Sequence, residues 1–468
     1  MNTILCPLLL CCSLGSNPLP GIDPAQVGMD AARLARIDHA VERAIERGLV
    51  PGAVVLVARH GSVVHARAFG KRSVEPTSEP MTRDTIFDMA SLTKPLATAT
   101  SLMILLERGQ IRLSDRLERL LKDYSAGGKG SITVDQLLRH RGGLIADNPI
   151  ADYAEGPRRA WEILVTLKTS SPPGERFLYS DVGFLLLGKL VEEVSGRPLD
   201  QFSASEVFEP LGMTSTRFLP VNQPVDPSLL ARIAPTEREG EEVLRGKVHD
   251  PRARALGGVA GHAGLFSTAD DVAIHAQMLL DGGRSRDGRQ VLAPATVQLM
   301  IDPGDTPADQ RRGLGWDIST GFSAPRGSLF GGASFGHTGF TGTSLWIDPQ
   351  TRSFVILLTS RLHPKGNANL SPLRSEIATL VASAIVDTPV EARPRLEPTL
   401  PTKPTRVRTR SQVLTGIDVL IQHEFRELQG KRIGLVTNHT GRARDGRSTI
   451  DLLHQAPGVK LLKLFSPE

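Results

Sequence analysis

The sequence predicts an α/β protein of the α+β type. One antiparallel sheet is assembled from N- and C-terminal strands, flanked by helices, and interrupted by a mainly helical inserted domain; a short α/β fragment follows. Three observations predict this. Residues 52–70, GAVVLVARHGSVVHARAFG, set two β-branched runs around a His60-Gly61 turn, a hairpin signature. Apolar strand patterns return only late, at Ser344–Ile347 and Ser353–Thr359, around a turn at Asp348–Thr351. Between these ends, residues 131–300 carry helical patterns separated by Pro/Gly loops.

The elements follow in order. Residues 1–27 read as a leader, since Ile4–Leu14 is an apolar run of signal-peptide length followed by small residues and prolines. Asp30 to Gly48 has Leu34, Ile37, Val41 and Ile45 at helical spacing. Residues 95–122 read as helix, and GFLLLGKLVEEV within 182–194 is the clearest helix of all. A last helix is expected over 371–386, closing a main domain at 28–387. Five prolines then mark 388–412 as a linker. From 413 to 468 a helix, a strand at Arg432–Val436, a helix at Ile450–Leu453 and a strand at Val459–Phe465 open a further α/β unit, too short to cover both faces of a parallel sheet.

Composition narrows the function. The 468 residues are 40% hydrophobic and 22% charged, enough to bury a core. The net charge of +5 comes from scattered Lys and Arg, so no nucleic-acid partner is expected. All three cysteines, Cys6, Cys11 and Cys12, lie in the leader, which leaves the body without a disulfide framework or a thiolate metal site. Export to the periplasm or cell envelope is expected, with membrane association only through a lipid anchor at the N-terminus. No cofactor is expected, and oligomeric state is not readable.

The chemistry concentrates in three places. Ser91-Leu92-Thr93-Lys94 follows the strand-like TIFDMA and opens a helical run, so Ser91 and Lys94 share a face one turn apart. A serine hydroxyl is a weak nucleophile and needs such a base and positive field. Tyr179-Ser180-Asp181 ends the loop PPGERFLYSD, and Tyr179 is one of three tyrosines. In FGHTGFTGTSLWIDP, His337-Thr338-Gly339 opens a late strand, where glycine lets a substrate backbone approach.

In that order the three elements resemble the serine hydrolases of the penicillin-recognising fold, of the class C β-lactamase type, whose signatures are Ser-x-x-Lys, Tyr-x-Asn and Lys-Thr-Gly. LLRHRGGL (137–144), PPGERFLYSD (172–181), EPLGMTSTRF (209–218) and GGVAGHAGLFSTADDV (257–272) resemble the same family, and the resemblance covers about 28–387. It implies that Ser91 is the acylated nucleophile, that Lys94 and Tyr179 move its proton, and that the amides of Ser91 and Phe340 form the oxyanion hole. Two positions depart from the pattern. Asp181 replaces Asn, which should hold Lys94 as an ammonium. His337 replaces Lys and removes a permanent cation, so a carboxylate-bearing substrate should bind it better as pH falls and the imidazole protonates. Both changes favour neutral, amine-bearing, amide or ester substrates over β-lactams and D-Ala-ended peptides.

His249 and His262, in VHDPRARALGGVAGHAGL, are expected to line the substrate cleft; their spacing does not suit a metal, and none is expected. His140 reads as a structural residue hydrogen-bonding a turn. GIDVL, GKRIGLVTNHTG and LFSPE resemble the start of the exo-N-acetylmuramidase family over 414–468, with Glu468 the candidate acid of a truncated domain. That fusion points to muropeptides as substrate, so the expected function is a serine acyl hydrolase of peptidoglycan fragments, cutting the muramyl-peptide amide or the peptide. The alternatives are a promiscuous esterase or β-lactamase-like enzyme, and a penicillin-binding sensor acylated without turnover.

Overall fold

The computed structural model describes residues 18–387 except 125, together with 415–437 and 441–465. Cys6, Cys11, Cys12, the linker 388–412 and Glu468 lie outside the described residues. The chain divides into two compact units, 1–396 and 397–468.

The first unit is organised by one eight-stranded antiparallel sheet. Its strands are β1 (Gly52–Arg59), β2 (Ser62–Ser73), β3 (Glu79–Pro80), β4 (Arg311–Arg312), β5 (Asp317–Ser319), β6 (Phe335–Thr338), β7 (Ser344–Asp348) and β8 (Ser353–Thr359), in the order β3-β2-β1-β8-β7-β6-β5-β4. The hairpin turn is as expected. His60 and Gly61 both have positive φ, at 50° and 80°, which matches the twist of the strands they join. Strand β1 then pairs with β8, Val54 opposite Leu358 and Val57 opposite Val355.

Every residue of β1 is buried, because the sheet is covered on both faces. Val54, Leu56 and Ala58 enter one core with Ile356 and Leu358; Ala53, Val55 and Val57 enter a second with Val355 and Leu357. The period of two thus divides one strand between two cores. On the second face pack α1 (Arg36–Glu46) and a C-terminal helix, Ser371–Ala384, through Ile37, Val41, Ile377 and Val381. The first face carries the helical insertion, with α2 (Thr100–Glu107), α3 (Asp181–Ser195), α4 (Ala269–Leu280) and a three-stranded sheet of Phe87–Asp88, Leu265–Ser267 and Arg217–Phe218.

Packing against the main domain begins before residue 28. Leu19 is buried, Ile22 N–H donates to the Val63 carbonyl and Val63 N–H to that of Pro20. Two helix expectations are corrected. The helix expected over 95–122 stops at Glu107, because Gly109 takes φ 68° and its amide turns back to the Leu106 carbonyl. The helix expected from Asp30 to Gly48 is broken at Ala35 into Ala31–Leu34 and α1.

The second unit has helices Gly416–Gln422 and Thr449–Gln455 and two parallel strands, Arg432–Val436 and Lys460–Phe465, with Ile433 opposite Leu461. Its small core is Phe425, Ala443, Leu452, Leu453, Ala456 and Val459. Leu462, Leu464 and Phe465 remain about half exposed on the sheet.

Candidate active site

Ser91 stands where the short strand Phe87–Asp88 turns into helix. Ala90 before it has φ 45°, a left-handed conformation that an alanine adopts only at a cost. The Asp88 carboxylate holds it there. Its Oδ1 accepts Ala90 N–H at 2.8 Å and its Oδ2 accepts His249 N–H at 2.7 Å. Beyond Ser91 the chain enters a π-helical turn, Lys94–Ala99, which runs into α2.

Lys94 is fully buried, and its ammonium is surrounded by acceptors. Nζ donates to Ser91 Oγ at 3.0 Å and to the His262 carbonyl at 3.0 Å, and lies 2.5 Å from Asp181 Oδ1. Burial works against the charge, but Asp181 and Tyr179 outweigh it and hold the Lys94 pKa above the ordinary lysine value. Because Lys94 donates to Ser91 Oγ, the serine hydrogen must point to another acceptor.

Tyr179 lies beside Lys94, whose Nζ is 5.0 Å from the ring centroid. Burial raises its pKa, and Lys94 opposes the rise. The His140 ring packs on the tyrosine ring, centroids 4.3 Å apart and planes 25° apart. His140 has φ 56° and accepts Ser180 N–H on Nδ1 at 3.0 Å, so its proton sits on Nε2. It is more than the turn residue the sequence suggested: it is part of the wall that fixes Tyr179. Ser180 caps α3 through Gly183 N–H, which places Tyr179 and Asp181 on either side of the helix start.

The third element approaches from the sheet. His337, Thr338, Gly339 and Phe340 line one cavity of about 310 Å³ with Ser91 and Tyr179. Gly339 is required by packing against the protein itself. A Cβ there would meet Thr343 Oγ1 at 2.1 Å and the Met89 carbonyl at 2.5 Å. This glycine thus admits the segment that carries Ser91, and it lines the cavity beside that serine as well. Thr341 and Thr343 tie the same loop to that segment, donating to the Asp88 and Met89 carbonyls at 2.7 and 3.1 Å.

His337 does not behave as a titrating cation. Nδ1–H donates to the Thr338 carbonyl at 2.9 Å, and burial, Arg312 and Lys94 push its pKa well below the usual value, so it is neutral at physiological pH. Asp181 is paired with Lys94 and is not among the cavity's lining residues. Neither His249 nor His262 lines the cavity. His262 holds Lys94 through its carbonyl and bonds Asp250 Oδ1 through Nε2 at 3.0 Å. His249 stacks on Phe340 with centroids 5.7 Å apart. The second unit's candidate, Glu468, is not described.

Residues that the sequence reading passed over complete the cavity. Arg374 reaches the Gly339 and Thr343 carbonyls, and Arg361 donates to the Phe340 carbonyl at 2.6 Å, so two arginines clamp the loop. Arg312, Phe322 and Asp317 also line the cavity. Phe322 and Phe340 are 50% and 54% exposed, which makes the mouth apolar. Apart from Phe340, none of these lies in a short motif. They converge from separate loops and strand ends, and only their folding together marks them.

An antiparallel sheet covered by helices, with a buried lysine hydrogen-bonded to a cavity serine beneath a tyrosine, is the architecture of a serine hydrolase. The chain belongs to the Beta-lactamase family, whose sequence profile matches residues 37–379. It is similar to the N-acetylmuramyl-L-alanine amidase of Bacillus subtilis (strain 168), 31% identical over 398 residues, 75% of this chain and 88% of that protein. It is also similar to an Escherichia coli (strain K12) protein named "Putative D-alanyl-D-alanine carboxypeptidase", 29% identical over 406 residues, 78% of this chain and 92% of that protein. The solved structure of "EstCE1, a hydrolase with promiscuous acyltransferase activity" matches with 26% identity and a TM-score of 0.60, over 75% of this chain and 99% of the other.

Proposed function

We propose that this enzyme hydrolyses the amide between muramic acid and its peptide, or an amide within that peptide, through an acyl-enzyme on Ser91. The observation that carries this reading is the Ser91–Lys94–Tyr179 cluster opening on one cavity, and the similarity to an amidase and a carboxypeptidase named for peptidoglycan bonds supports it. In this reading Ser91 gives its proton to the Tyr179 phenolate while Oγ bonds to the carbonyl carbon. Tyr179 passes that proton to the leaving amine as the C–N bond breaks. Water then cleaves the ester by the same exchange in reverse, releasing the acid. Lys94, held charged by Asp181, orients Oγ and favours the phenolate. The amides of Ser91 and Phe340 receive the developing oxyanion.

Neutral His337 suits a muramyl amide, which is uncharged on both sides of the scissile bond, better than a terminal D-amino acid with its carboxylate one residue away. Such a substrate places the protein in the cell envelope; no described helix is long and apolar enough to cross a membrane. Ester hydrolysis is a second reading, favoured by the apolar mouth of Phe322 and Phe340. Incubating the full chain with a defined muropeptide mixture and weighing the products tests both. Release of free peptide, or loss of a single residue, supports the first. No muropeptide product beside rapid turnover of simple aryl esters overturns it.

A further inference from the structure

Arg312, on β4, is a buried cation without hydrogen bonds. Its residue is 1% exposed, and none of its three side-chain nitrogens bonds a described residue. The nearby carboxylate, Asp317 Oδ1, is 3.5 Å away and already accepts Thr320 Oγ1 at 2.7 Å, while Oδ2 accepts Ser323 Oγ at 2.8 Å. The guanidinium carbon lies 5.7 Å from the Tyr179 ring centroid and 5.6 Å from that of Phe177. Desolvating a guanidinium without bonding it is costly, and an apolar side chain of similar size would avoid the cost. Arginine nevertheless keeps its charge in a protein interior.

The groups facing Tyr179 show what that charge adds. Lys94 is matched by Asp181 at 2.5 Å, so the pair is neutral as a unit. His140 and His337 pack at 4.3 and 6.0 Å between ring centroids, and burial and the cations beside them keep both uncharged. Ser91 is neutral. Arg312 is then the cation around Tyr179 with the looser carboxylate partner, Asp317 at 3.5 Å, whose oxygens already accept two hydroxyls.

We propose that Arg312 is a positioning residue that acts through Tyr179, its buried charge stabilising the phenolate that takes the Ser91 proton. This rests on the reading of Tyr179 as that proton's acceptor and is independent of which acyl substrate is natural. The test therefore uses a small neutral fluorophosphonate and the full chain, and follows the rate of Ser91 phosphonylation against pH. The tyrosinate absorbance of Tyr179 is followed in parallel in a Tyr124→Phe background, where the remaining tyrosine, Tyr153, is held protonated by burial.

Arg312→Met should move the midpoint of both curves up by about one to two pH units. Arg312→Lys should return it most of the way. Asp317→Asn, which removes the counter-charge, should move it down, and this opposite shift decides the matter even if Arg312→Met folds poorly. With a turned-over ester at pH 7, Arg312→Met should lower kcat about 10- to 100-fold with little change in KM. Midpoints unmoved in Asp317→Asn, or equal losses in Arg312→Lys and Arg312→Met, would overturn the proposal. If the midpoints shift as stated while muropeptides are untouched, the charge role stands and the substrate reading alone falls.

Discussion

Asp181 Oδ1 lies 2.5 Å from Lys94 Nζ, inside a protein where the lysine has no access to water. The contact favours the charged lysine, and in the proposed mechanism Lys94 is therefore a donor to Ser91 and not a base. In the function proposed above, proton abstraction then falls to Tyr179. The following predictions test that division of labour and the packing beneath it.

Ser91→Ala should lower hydrolysis by about 10⁴-fold or more with an unchanged melting temperature, because Ser91 is the proposed nucleophile. Tyr179→Phe should cost about 10²–10⁴-fold. A fluorophosphonate should add its mass at Ser91 alone, read by peptide mass spectrometry. Labelling at another serine would show that the nucleophile is misassigned.

Asp181→Asn strips the counter-ion from a buried ammonium and should destabilise the fold by about 3 kcal/mol at neutral pH. The sign of its pH dependence is fixed. Lys94 has a raised pKa when folded, so its stabilisation is complete below the ordinary lysine range and is lost as pH rises through the higher folded value. In the variant the strongest influence opposing burial is gone, and the pKa moves down. The gap in denaturant midpoint between wild type and variant should therefore be widest at neutral pH and close above pH 10. A constant gap would mean that Lys94 is not charged in the folded enzyme.

Gly339→Ala drives a methyl into Thr343 Oγ1 and the Met89 carbonyl, and neither can retreat, since each is bonded to the other. Fluorophosphonate labelling should slow by at least about 100-fold, while the circular dichroism of the bulk fold persists. Normal labelling would show that the Ser91 segment and the β6 loop are not packed as described.

His275 is buried in α4, bonded by Nε2 to Thr100 Oγ1, and burial pushes its pKa down to about 3. Folding therefore excludes a proton that the unfolded chain binds below about pH 6.5, and the native state loses stability as pH falls. His275→Gln removes that loss. Whatever its cost at pH 7, its stability relative to wild type should improve by about 1.4 kcal/mol per pH unit between about pH 6 and 4, measured by urea unfolding. A flat difference would place a proton on the native imidazole.

How much of this was legible in the sequence depended on whether the signal was local. The His60-Gly61 turn and its strands follow from residue type and alternation alone. Ser91 and Lys94 follow from helical spacing, and their order with Tyr179 and His337 carried the family. The end of the helix at Glu107 was also written locally, in Gly109, yet the apolar residues beyond it were read as its continuation. Arg312 carries no such mark. It sits on a two-residue strand, and its importance comes from Tyr179, which reaches it through space. The neutrality of His337 likewise depends on burial and on two cations far away in the chain, so residue type alone suggested a titration that the fold suppresses.

The pairing of β1 with β8 has a consequence for the life of the chain before it is an enzyme. The serine and lysine are translated early, but the strand that closes the sheet over them emerges only after nearly the whole domain. Until then β1 offers unpaired amides and carbonyls along an edge whose side chains are apolar on both faces. A nascent chain is therefore inactive and sticky at once, and contacts so distant in sequence form slowly. The same arrangement defers hydrolytic power until the final strand is in place, and until then it leaves an edge that a chaperone holdase could cover.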